Sequence, residues 1–133
     1  MNLTRSVSYA VGILLQIARG SRGEPMTASK IAQGCKFPPR FLYRVLRRLV
    51  DAGLLVGTSG PGGGYALARP ASKITLLDIV TAVDAEPEPT VLPAVRPKYR
   101  RSMAAINRVC KQSADQFNKN LKKLTLTRLT RMK

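Results

Sequence analysis

The sequence predicts a mainly α-helical fold carrying one small β-hairpin, on three observations. Apolar residues recur at helical spacing through most of the chain. The run Gly60-Pro61-Gly62-Gly63-Gly64 lies between two short apolar runs, 54–56 and 65–67, the pattern of two strands and a turn. Four prolines at 87, 89, 93 and 97 bar a regular helix and set apart a long amphipathic segment that follows.

Each element has its own signal. Residues 3–19 read as a helix with Thr4 as N-cap and an apolar stripe of Val7, Ala10, Val11, Leu14, Leu15 and Ala18. A loop at 20–25 leads to a short helix at 27–33, capped by Thr27 and stopped at Gly34. A turn at 34–37 follows, then a helix opened by Pro38 and Pro39, since proline is tolerated in a first turn. Its apolar face is Phe41, Leu42, Val45, Leu46 and Leu49, and its other face shows Arg40, Tyr43, Arg44, Arg47 and Arg48. After the hairpin, Thr75 caps a helix at 76–83. Residues 98–124 form a long helix, with Met103, Cys110, Phe117 and Leu124 every seven residues and Tyr99 and Ile106 between them. Leu121 joins that stripe. Residues 125–133 read as a frayed basic tail.

A short helix, a tight turn and a longer basic helix make a helix-turn-helix, and the hairpin behind it makes a wing. The expected organisation is a winged helix-turn-helix at 1–84, a proline-rich linker at 85–97, and a dimerisation helix with a basic tail at 98–133. The heptad stripe points to a partner chain, against the alternative that it folds back on its own domain.

Composition restricts the chemistry. The 133 residues hold 23 Lys+Arg against 7 Asp+Glu, a net charge of +16. That imbalance points first to nucleic acid and second to an anionic membrane, and the apolar stripe of the long helix suits a dimer seam better than a bilayer surface. Histidine is absent, which removes His-based acid–base catalysis and most zinc sites. The carboxylates are scattered, so an enzyme is not expected. Cys35 and Cys110 lie too far apart for a CxxC motif. Two cysteines and no secretory signal fit a reducing cytoplasm. The glycine run lacks the Lys-Ser/Thr ending of a P-loop, so it is not read as a nucleotide site.

The run from Gly60 to Pro70 and the following Ile74–Val83 resemble the wing and next helix of the Rrf-two family of bacterial regulators. Leu3-Thr4, Tyr9-Ala10, Ile31-Ala32, Leu42 and Leu46 strengthen the resemblance over residues 1–84. It implies a homodimer built on the long helix that binds double-stranded operator DNA and represses or activates transcription, with repression the expectation for this chain. The site it implies has Pro38, Pro39, Arg40, Tyr43, Arg44 and Arg47 in the major groove. Arg40 and Tyr43 would reach base edges, and Arg44 and Arg47 bases or phosphates. Ser59, Gly60, Pro61, Gly62, Gly63, Gly64 and Tyr65 would form the wing on the minor groove or its phosphates. Arg5, Lys30 and Lys36 would add phosphate contacts. For Arg5 a plain solvated charge is an equal reading. Tyr99, Met103, Ile106, Cys110, Phe117, Leu121 and Leu124 would form the dimer interface.

The chain departs from the family pattern in three places. Many members hold an iron–sulfur cluster on three cysteines in and after the linker, whereas 85–97 has none and Cys110 alone lies beyond, so no cofactor or metal is expected. Ser59 stands where an arginine often precedes the wing, and Tyr43 where cluster-binding members often have glutamate. The family also admits an effector molecule or partner protein near the linker. From another class, a non-specific architectural DNA- or RNA-binding protein is the alternative.

Overall fold

A computed structural model describes residues 3–20, 23–36, 38–84 and 91–132. The first half of the expected linker, 85–90, lies outside the described residues, as do Ser21 and Arg22 of the first loop, Phe37 of the turn, and Lys133.

The helices are α1 (Arg5–Gly20), α2 (Ala28–Gly34), α3 (Pro39–Asp51), α4 (Leu76–Val83), α5 (Arg100–Lys123) and α6 (Leu126–Thr130). The strands β1 (Leu55–Thr58) and β2 (Gly64–Leu67) pair antiparallel, with Leu55 opposite Leu67 and Thr58 opposite Gly64. The architecture is therefore the expected one: helices, a two-stranded wing and a long helix after the linker.

α1 is the central helix and packs against α2, α3, α4, α6 and β2. Its core stripe is Val7, Ala10, Ile13, Leu14 and Ile17, all 4% exposed or less. The stripe is rotated from the expected one: Ile13 and Ile17 take the centre, and Val11, Leu15 and Ala18 flank it half-buried. Thr4 does not cap α1 with its side chain. Its hydroxyl donates to the carboxylate of Asp84 (2.8–2.9 Å), which joins the start of α1 to the end of α4.

The local signals at the other helices act as their chemistry suggests. The Thr27 hydroxyl accepts from the Lys30 N–H, closing the start of α2. Thr75 and Asp78 form a reciprocal capping box at α4. α3 closes as Gly53 N–H donates to Val50 and Leu54 N–H to Leu49. Phe41 is a correction. It is 43% exposed and leaves the α3 core to Leu42, Val45, Leu46 and Leu49, because it lies at the edge of that helical face. Its ring instead meets Tyr9, 6.1 Å away, and the Arg44 guanidinium, 5.8 Å away.

The tail is a second correction. Residues after α5 are ordered into α6, not frayed. Thr75 and Thr125 form an antiparallel bridge in which Leu76 N–H donates to Leu124 and Leu126 N–H to Ile74, both at 2.8 Å. Leu126 is completely buried, and the Arg19 guanidinium donates to the carbonyls of Thr130 and Met132. One hydrophobic cluster thus runs from Val7 to Leu126 and draws on both sides of the linker. At Leu92 the described part of the linker lies on α5: the Asn107 amide donates to Leu92 O and accepts from Leu92 N–H.

Candidate nucleic-acid interface

The interface is built on α3 and the wing. Burial of Leu42, Val45, Leu46 and Leu49 leaves Arg40, Tyr43, Arg44 and Arg47 facing solvent together. Tyr43 is 58% exposed and the Arg47 side chain 85%. The acidic side chain beside them is Asp51, 3.9 Å from Arg47, and both are so exposed that the pair neutralises little. Arg48 leaves this group. Its guanidinium donates to Val83 O at 2.7 Å, holding the last turn of α4.

Tyr43, Arg47 and Asp51 on α3 face Thr58, Ser59 and Tyr65 of the wing across an open cleft of about 490 Å³. Helix and wing thus present one continuous surface. The wing is braced from behind by a contact that sequence reasoning did not include. Met26 and Tyr65 exchange both backbone hydrogen bonds at 2.8 Å, adding a third, single-residue strand just before α2. Gly64 makes this approach fit, since a Cβ there would stand 2.5 Å from Met26 O. At the tip, Gly62 has φ +75° with open space around it. Gly60 to Gly63 also border a second cleft toward Glu24 and Thr27.

The remaining predicted contacts are dispersed. Lys30 on α2, Lys36 before α3 and Arg5 at the start of α1 are exposed, as are Pro38 and Pro39. The α5 stripe is divided. Phe117 and Leu121 pack into the protomer's own core, with Leu124 half-buried beside them. Tyr99 and Ile106 are 44% and 41% exposed, Met103 and Cys110 half-buried, and Val109 adds a further exposed apolar side chain.

The donor chemistry for an iron–sulfur site is poor. Cys35 ends α2, half-buried against Gly12, with its thiol pushed up by burial, and Cys110 is midway along α5. Among the described residues no three His, Cys, Asp or Glu side chains converge. These residues do not fit a three-cysteine ligand set. Also among the described residues, no helix is long and apolar enough to cross a membrane.

Comparisons with known proteins agree with this geometry. The family model Rrf2, described as an iron-dependent transcriptional regulator, matches residues 3–132. Over 84 residues the chain is 34% identical to the HTH-type transcriptional regulator IscR of Escherichia coli, a match covering 63% of this chain and 52% of that protein. YwgB of Bacillus subtilis, also HTH-type, is 33% identical over 84 residues, 63% of this chain and 54% of its own. The matched stretch thus spans about half the length of these curated relatives. In fold, the chain is similar to CymR, the global cysteine regulator of B. subtilis, with a TM-score of 0.77 at 22% identity over 98% of this chain and 96% of that one. It is similar also to T. potens IscR, at TM-score 0.68 and 19% identity over 97% and 85%. With a family match running through every element from α1 to α6, the chain belongs to the Rrf2 family, whose members are transcriptional regulators and not enzymes.

Proposed function

We propose that this regulator binds operator DNA as a homodimer in the cytoplasm and represses transcription, without an iron–sulfur cluster. One observation carries the reading: Arg40, Tyr43, Arg44 and Arg47 stand exposed on one face of α3, beside the wing, with Asp51 as their near acidic neighbour. Arg40 and Tyr43, nearest the N-terminal end of α3, reach base edges. A bidentate arginine–guanine pair discriminates by ~1–3 kcal/mol. Arg44 and Arg47, with Arg5, Lys30 and Lys36, contact bases or phosphates, and the wing tip lies along the minor groove. Ser59 brings no long cation to that groove, so base selection falls on α3.

The open upper half of the α5 stripe supports the dimer. Tyr99, Met103, Ile106 and Cys110 remain for a second copy once Phe117 and Leu121 are spent on the protomer's core. The donor set argues against a cluster, since each chain brings one thiol, Cys110, after the linker.

Operator binding is tested by selecting bound genomic fragments with the purified protein, then measuring the R40A/R44A variant on the best fragment. Binding should survive excess bulk DNA and fall at least ~10-fold in the variant. Unchanged affinity at moderate salt would remove α3 from the reading role. Loss of binding to bulk DNA would favour a non-specific architectural protein. A brown as-purified protein with visible iron–sulfur absorbance would overturn the cofactor reading.

A further inference from the structure

Every basic residue of α5 lies on one side of the helix. At about 100° per residue, Arg100, Lys111 and Lys122 fall in one row and Arg101, Arg108 and Lys119 in the next, with Lys123 closing an arc of about 140°. All are exposed. The residues that seat α5 on its own domain, Ala114, Phe117 and Leu121, lie on the opposite side, as do Met103, Ile106 and Cys110 of the open apolar stripe. A dimer formed on that stripe leaves the arc uncovered.

The array opposes helix stability. Arg108 and Lys111 are i,i+3 neighbours, and Lys119 stands i,i+3 and i,i+4 from Lys122 and Lys123, spacings at which like charges repel. Within the arc the acidic side chain is Asp115, 3.7 Å from Lys111. Packing needs none of these cations, since they face away from the core.

We propose that this arc binds the phosphate backbone of a second DNA duplex, so that the protein bridges two DNA segments. The other residues in the arc are Ala104, Ala105, Gln112, Asp115 and Asn118. None is aromatic, so the surface offers no platform for stacking unpaired bases. None is a large apolar group, so it lacks both the wedge that inserts into a membrane surface and the anchor that fills a protein pocket. Charge with small polar spacers is what remains, and that suits sequence-independent contact with phosphates. The helix is about 36 Å long at ~1.5 Å per residue, close to one turn of B-form DNA at ~34 Å. α5 joins the domain through α4, whereas the exposed arginines of α3 lie on the wing side. The arc is thereby assigned a duplex other than the one held by α3, and recruitment of a second, separate duplex is what tests that assignment.

The test uses the full chain with two 40-base-pair duplexes, one fixed to beads and carrying the best genomic fragment selected by the protein, the other fluorescent and unrelated in sequence. The wild-type protein should recruit the fluorescent duplex to the beads. The R101Q/R108Q/K119Q/K122Q variant, with an unchanged circular-dichroism spectrum, should stay on the bead duplex but recruit the second at least ~10-fold less. The salt slope of recruitment should fall by roughly 3.6, from four phosphates at ~0.9 each. The R40A/R44A variant should keep its arc-dependent binding to duplex, which separates this result from the reading role of α3. Undiminished recruitment by the four-site variant overturns the proposal, as does a wild-type protein that recruits no second duplex. Arc-dependent transfer of the wild-type protein from DNA to phosphatidylserine vesicles overturns it in favour of a membrane.

Discussion

Substituting alanine at Gly64 should cost far more than the same change two residues earlier. At Gly64, φ is +138° and a new Cβ would lie 2.5 Å from Met26 O and 2.6 Å from Met26 C. Both are backbone atoms, held by the paired hydrogen bonds with Tyr65 at 2.8 Å. Relief therefore requires the wing to separate from the segment before α2. Overpacking of this kind costs ~1–3 kcal/mol. Loosening the two hydrogen bonds adds ~1 kcal/mol each where they are fully lost. A total of about 3 kcal/mol is expected for G64A. At Gly62 the φ of +75° is near the left-handed helical region and a Cβ would meet nothing within 4 Å. G62A should cost about 1 kcal/mol, the left-handed penalty alone. At ~3–4 °C per kcal/mol for a chain of this size, the melting temperature should fall by about 10 °C in G64A and about 3 °C in G62A. Thermal unfolding followed by circular dichroism measures both. Equal shifts, or a larger one in G62A, would show that the Met26–Tyr65 contact does not hold the wing.

Three further expectations follow from particular contacts. Leu126→Ala empties a completely buried site in the central cluster and should destabilise by ~2–5 kcal/mol in urea titration, whereas a frayed tail would show no change. Arg47→Ala and Arg48→Ala should separate binding from stability. The first should lower the salt slope of DNA binding by about 1 with stability within ~0.5 kcal/mol, and the second should cost ~1–2 kcal/mol with the slope unchanged. Cys35, whose thiol is pushed above its ordinary pKa by burial, holds its proton in the folded state to a higher pH than in the unfolded chain. Its alkylation by iodoacetamide at pH 8 should be slower in the native protein than in urea, and an equal or faster native rate would refute the burial argument.

Much of the architecture was legible because it rests on local rules. Period, caps and turn glycines each act within a few residues, so α2, α3, the wing and α4 could be placed from the chain alone. The errors occur where a distant partner decides. Leu126 lies in a stretch of threonines and basic residues that has no helical signal strong enough to stand alone. Its burial depends on the carbonyl of Ile74, from the other side of the linker. Met26 meets Tyr65 through backbone groups, which carry no side-chain signature. The α5 stripe has one heptad period but two different covers, and periodicity cannot tell a partner chain from the helix's own domain. For the candidate site, the sequence identified the arginine face of α3, yet Arg48 belongs to that face by angle and to the end of α4 by contact.

The bridge between Thr75 and Thr125 has a consequence for how the protein is made. The half that carries α3 and the wing is synthesised before α5 and α6, and its core lacks Leu121 and Leu126 until those residues emerge. α4 likewise waits for Leu124, whose carbonyl accepts from its first N–H. Closing so long a loop is slow relative to forming the helices it joins. A nascent chain can therefore hold the helices and the turn without the finished platform that fixes them. The finished platform under α3 and the wing is completed only at the step where α6 docks.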